Sequence, residues 1–185
     1  PLFIQKVQKL SPEYSGLLII PMLLSLTFSA IIAGQIISRT GTYKKLAIMA
    51  FIIITVGMFL LSTLGTGSTI WELVIYAAVL GAGTGMTYPI FNVAVQNAVS
   101  RRDIAVGTAS MQFFRNIGAT VALPIFGVIV NLTINMDINT ASNIPPDLMN
   151  LAIHNVYLFG LIISIMGLVS CFFLKDVVLS SKMEG

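Results

Sequence analysis

Ionisable side chains are scarce in this chain: 9% of its 185 residues are Asp, Glu, Lys or Arg. A water-soluble domain of that size needs charge over most of its surface. The 56% of residues that are hydrophobic, with a mean hydropathy of +0.94, could not all be hidden in its interior. A single cysteine, Cys171, lies among Val169, Ser170, Phe172 and Phe173, so neither a disulfide frame nor a metal site can be built, and it reads as apolar filler. With one histidine, no paired carboxylates and no activated nucleophile within its apolar stretches, the chain offers nothing for catalysis, and neither an enzyme nor a cofactor is expected. The formal net charge of +3 comes from short Lys and Arg clusters between apolar runs, which excludes nucleic acid as the expected partner.

What is present is apolar length. Five stretches, at about 15–37, 46–64, 70–93, 106–130 and 152–174, each match the roughly 20 residues that carry a helix across a bilayer core of about 30 Å. The expected fold is therefore all-α, a polytopic transmembrane helix bundle in contact with membrane lipid. Residues 1–14 read as an external tail or loop and 175–185 as a cytoplasmic tail. The chain starts at Pro1 with no signal-peptide pattern, so a fragment of a longer protein is expected.

Charge between the spans gives an orientation. Arg39, Lys44 and Lys45 separate the first two spans, and Arg101 and Arg102 separate the third and fourth. Asp137 and Asp147 are the charges between the last two. The positive-inside rule places the basic connectors in the cytoplasm, and with them Lys175, Lys182 and the carboxyl terminus. Lys6 and Lys9 then fall on the outer side. The protein is expected to be multi-pass in the cell membrane. Trp71, Tyr43 and Tyr157 near span ends suit interfacial anchoring. The outer loop, with Pro145-Pro146 and many Asn and Thr residues, reads as turn-rich, and Asn131-Leu132-Thr133 is a formal glycosylation acceptor there.

Polar side chains in hydrocarbon need a reason, so their distribution separates the helices. The second and fifth spans are apolar all round and are expected to be peripheral and face lipid. The third carries Gly81, Gly85, Tyr88, Asn92 and Gln96 on one narrow face; the fourth carries Thr108, Gln112, Arg115 and Ala119 on another, with Asn116 at its edge. Two polar stripes on successive helices predict a shared polar interior. Arg115 lies about 16 Å along its helix from a start near Ile104, where insertion costs at least about 2.5 kcal/mol unless the group faces water or a partner. The alternative is a helix that begins deeper in the cytoplasm, with Arg115 snorkelling to headgroups. Gln112, one turn earlier, is placed to hydrogen-bond the guanidinium.

Gly81-Ala82-Gly83-Thr84-Gly85 is no phosphate loop, since no Lys-Ser/Thr pair follows; the spacing from Gly81 to Gly85 is that of helix packing. Pro21, Pro89 and Pro124 are expected to remove backbone hydrogen bonds and favour kinks in the first, third and fourth helices. Glu72 and His154, at the outer edge, read as hydrated and inert rather than as parts of a proton path. Ser100 and Asp103 form a capping-box-like pair ahead of the fourth helix.

The first basic connector, Gly34-Gln35-Ile36-Ile37-Ser38-Arg39-Thr40-Gly41-Thr42-Tyr43-Lys44, resembles the loop signature of the major facilitator superfamily. Gly34, Arg39 and Gly41 match it, while Ser38 replaces the usual acid. The stretch from Ser15 to Pro21, and that from Pro89 to Gly118 with Gln96 to Asp103 and Gly107 to Gly118, resemble the fourteen-span drug/proton antiporters. The resemblance implies the last five spans of the carboxyl-terminal half of a major facilitator fold, with the amino-terminal half and its proton-coupling acid missing. It also implies that the first, third and fourth spans border a central cavity.

On this reading the chain is the carboxyl-terminal fragment of a secondary active membrane transporter, a proton-coupled multidrug efflux antiporter. In the full-length protein its partners are protons and a small-molecule substrate, hydrophobic or cationic. Arg115, Gln112, Asn116, Asn92, Tyr88 and Gln96 are the candidate cavity residues; Gly34, Arg39 and Gly41 the cytoplasmic gate loop; Gly81 and Gly85 the packing positions; no metal ligands are expected. The rival is a small stand-alone membrane scaffold or assembly protein that uses Gly81 and Gly85 against partner helices.

Overall fold

The computed structural model describes residues 16–134 and 145–174, except for the side chain of Pro146. Five helices follow in order: α1 Ile20–Thr40, α2 Lys44–Ser62, α3 Ile70–Ala98, α4 Ile104–Ile134 and α5 Pro146–Phe172. Each is long and apolar enough to cross a membrane. No strand occurs among the described residues, so the all-α, five-helix bundle expected from the apolar runs is what forms. The tails at 1–14 and 175–185, with Lys6, Lys9, Lys175 and Lys182, lie outside the described residues, as does Asp137.

Local chemistry sets the helix ends. α1 stops at Gly41, whose φ of 66° puts it in the left-handed region while its N–H donates to the Ile37 carbonyl at 2.8 Å. Pro21 stands at the start of α1 just after a turn at Leu18 and Ile19, which separates helical Gly16 and Leu17 from it, so the chain breaks where the proline withholds an N–H; Pro89 and Pro124 lie inside their helices. Glu72 is not idle: Thr69 and Glu72 form a capping box at the start of α3, the carboxylate accepting from the Thr69 N–H at 2.9 Å. Ser100 donates to the Asp103 carboxylate at 2.6 Å just before α4. α4 runs on through Asn131-Leu132-Thr133, which therefore belong to a helix and not to a turn-rich loop. Thr133 donates to the Ile129 carbonyl at 2.8 Å and accepts from the Asn155 amide of α5 at 3.1 Å.

Short connectors make neighbours antiparallel, which gives the bundle a basic end, with Arg39, Lys44, Lys45, Arg101 and Arg102, and an opposite end with Glu72 and Asp147. α3 packs between α1 and α2, α2 between α3 and α5, and α5 reaches α4; α4 closes only lightly on α3. Two apolar clusters hold this order. At the basic end Ala33, Ile37, Tyr43, Ala50, Met86, Ile90 and Cys171 pack together, and at the other Leu61, Leu73, Val130, Ile134, Met149 and Ala152. Tyr43 is buried in the first cluster and Tyr157 packs against the second, whereas Trp71 is exposed at the start of α3.

Apolar burial drives helices together weakly in lipid, so close backbone approach and hydrogen bonds carry more of the association. The Ser25 hydroxyl of α1 donates to the Ala78 carbonyl of α3 at 2.7 Å. At the basic end the Lys44 ammonium donates to the Phe172 carbonyl at 3.1 Å, satisfying an orphan acceptor at the close of α5. At the opposite end His154 Nδ1 lies 2.6 Å from the Ser62 carbonyl, so the ring fastens α5 to the last residue of α2. Replacing His154 by Phe should lower thermal stability by about 1 kcal/mol, measured on the purified protein in detergent. An unshifted transition would mean that the bond adds nothing.

α2 has one free side and one packed side. It does present an exposed stripe, Met49, Ile52, Val56 and Phe59, but its opposite side is buried against α3 and α5. A third of its apolar window is enclosed, as in α3, against 11% for α4. The helix richest in polar expectation is among the least enclosed by the others.

Candidate functional site

The glycines of α3 divide its surroundings. A Cβ at Gly81 would stand 2.5 Å from the Met22 carbonyl, and one at Gly85 would collide with the Leu26 carbonyl and the Ser29 hydroxyl, so this side of α3 is pressed against the α1 backbone. Gly83 turns the other way: a Cβ there would meet Ile54 and the Ala50 carbonyl of α2, and Gly57 of α2 takes the backbone of Leu80 in return. The sequence reading passed over Gly83 and Gly57. The alternation of glycines at 81, 83 and 85, which places them on two sides of a helix, was the available signal.

Toward the basic end α3 meets α4. Gly107 comes against Val95 and Val99, a Cβ there lying 3.1 Å from Val95. Two turns further along α4, about 12 Å, and two turns back along α3, about 10 Å, the antiparallel register brings Arg115 to Tyr88. Arg115 Cζ lies over the Tyr88 ring, 4.3 Å from its centroid. Such a contact is worth about 0.5 to 2 kcal/mol depending on desolvation. Arg115 is half-buried and Tyr88 is 40% exposed.

The other candidates do not converge in the same way. Asn92 is half-buried, Gln96, Gln112 and Asn116 are exposed, and no side-chain hydrogen bond ties any of them to a described residue, so Gln112 does not hold the guanidinium. Asn97, not singled out from the sequence, has a buried amide nitrogen with no hydrogen-bond partner. At the basic connector Arg39 is exposed in the last turn of α1, where its charge suits the helix dipole. Gly34 has ordinary room beside Pro89, with 3.9 Å to its Cβ, so no close approach requires a glycine there. No cluster of three or more metal-ligating side chains occurs among the described residues.

Five helices long and apolar enough to cross a bilayer define a multi-pass membrane protein, with Arg115 of α4 set over Tyr88 of α3. Its sequence matches the Major Facilitator Superfamily over residues 1–123, and the chain belongs to that family. It is 32% identical over 131 residues to the multidrug transporter protein MdtP of Bacillus subtilis, covering 71% of this chain and 24% of that protein. It is 27% identical over 125 residues to a tetracycline resistance determinant of Streptomyces rimosus, covering 68% and 36%. It is 33% identical over 123 residues to the efflux pump dotC of Dothistroma septosporum, covering 66% and 21%. The matches thus span between about a fifth and a third of these relatives.

Proposed function

We propose that this chain is the carboxyl-terminal part of a secondary active transporter that expels small hydrophobic molecules in exchange for protons, a multidrug efflux antiporter of the fourteen-span type. Membership of the family and relatives named for multidrug transport and efflux support this reading. The observation that carries it is Arg115, a charge held over Tyr88 between two spanning helices whose seam is left open. A stand-alone scaffold has no use for a charge at that depth, which is costly wherever it does not face water or a ligand.

In this reading Tyr88, Asn92, Gln96, Gln112, Arg115 and Asn116 line one side of a midplane cavity, and rocking of two helical bundles exposes it alternately to each side. Arg39, Gly34 and Gly41 belong to the gate at the basic end, which faces the cytoplasm together with the carboxyl terminus, in the cell membrane. The amino-terminal half supplies the rest of the lining and the proton-coupling group.

The test is efflux by the full-length protein that carries this segment, in cells stripped of their own pumps. Hydrophobic fluorescent dyes should leave against their gradient, and a protonophore should abolish their export while ATP stays high. Export that survives collapse of the proton gradient, or that follows ATP instead, would refute antiport with protons.

A further inference from the structure

The guanidinium of Arg115 has no counter-charge among the described residues. The acids there are Glu72, Asp103 and Asp147, all at or beside helix starts. Glu72 is engaged by the Thr69 N–H and Asp103 by Ser100. Asp103 is also about 18 Å away along α4. The Tyr88 ring answers the charge through its π face but offers no array of oxygen acceptors for the N–H donors, and the neighbouring Gln112, Asn116 and Asn92 accept nothing from them. A half-buried guanidinium in that state is a planar fork waiting for a planar oxyanion, which it binds with two parallel hydrogen bonds where an ammonium would bind as a point charge.

We propose that Arg115, backed by Tyr88, is the subsite for the carboxylate of an amphiphilic organic acid, so that the transported molecule is anionic rather than cationic. This rests on the transport reading above and narrows the expected hydrophobic or cationic substrate to a hydrophobic acid. A cation brought to this seam would meet an unneutralised like charge. A carboxylate gains charge-assisted hydrogen bonds from the guanidinium, which are roughly twice as strong as neutral ones. The rest of the ligand is apolar, because toward the middle of α4 the positions on Arg115's own face are Ala119 and Ala122.

The experiment uses the full-length protein in proteoliposomes with a matched set: an arylalkyl carboxylic acid, its primary amide and the corresponding amine. Wild type should move the acid about tenfold better than the amine. Arg115→Gln should lower acid transport by about tenfold while leaving the amide within about twofold, and Arg115→Lys, which keeps charge but not the fork, should fall between. A wild-type preference for the amine, equal handling of acid and amine, or an unchanged acid-to-amide ratio in Arg115→Gln would each overturn the subsite. So would a uniform loss of all three compounds at normal membrane abundance, since Arg115 would then pair with a carboxylate of the protein itself. Where Arg115→Gln fails to accumulate, the wild-type ratio and Arg115→Lys decide. Wild type that exports dyes but none of the three defeats the subsite alone, whereas wild type that moves nothing defeats the transport reading.

Discussion

Gly85→Leu should leave little folded protein in the membrane. A Cβ at that position already runs into the Leu26 carbonyl and Ser29, and a backbone carbonyl in mid-helix has nowhere to go. The only relief is for α1 to draw away from α3, which also breaks the Ser25 bond to Ala78 and the contact at Gly81. Overpacking of a tight contact costs about 1 to 3 kcal/mol and sometimes more, and an unyielding neighbour places Gly85→Leu at the upper end. Gly67→Ala, in a connector with nothing within 4 Å of its Cβ, should stay within about 0.5 kcal/mol of the parent. Membrane abundance and thermal aggregation of the two variants read the difference. Equal behaviour would show that α1 and α3 do not touch at Gly85.

The second large effect belongs to the turn at the basic end. Gly41→Val forces a β-branched residue to a φ of 66°, where its side chain crowds the following carbonyl, at a cost of about 1 to 3 kcal/mol. The connector from Thr40 to Lys44 is too short to relax, and the capping bond to Ile37 depends on its geometry. Asparagine visits the left-handed region readily, so Gly41→Asn should retain most of the stability that Gly41→Val loses. Melting curves for the pair decide the matter; valine and asparagine melting together would remove the backbone argument.

The five helices were legible because an apolar run of bilayer length has few other uses. Their ends were less so. Asn131 and Thr133 look like loop residues in a list, yet Thr133 bonds within α4 and takes a bond from Asn155, and no local signal announces the second partner. Pro21 was read as a kink, and the turn at Leu18 and Ile19 between two helical stretches shows the chain breaking there. Glu72 was discounted for being exposed, although a Thr-x-x-Glu pattern at Thr69 was there to be read. For the seam, the stripe of Tyr88 and the stripe of Arg115 were both visible in the spacing, and the structure sets those two residues together. It leaves the side chains of Gln112 and Asn116 without hydrogen-bond partners among the described residues, since a polar side chain at the right period says which face it occupies but not what stands opposite. Nor does a uniformly apolar helix such as α2 reveal that half its circumference packs on neighbours.

Only Val130 and Ile134 of α4 enter either apolar cluster. Between Ile104 and Ile129 that helix meets the other described helices at a few points: Gly107 against Val95 and Val99, Arg115 over Tyr88, and Phe126 edge-on to Phe159. Exchanges between those points disturb little of the fit among the described helices, so new side chains can be tried there while the packing of α1, α2, α3 and α5 stays intact. The least costly variation in this bundle therefore lies along that one rod.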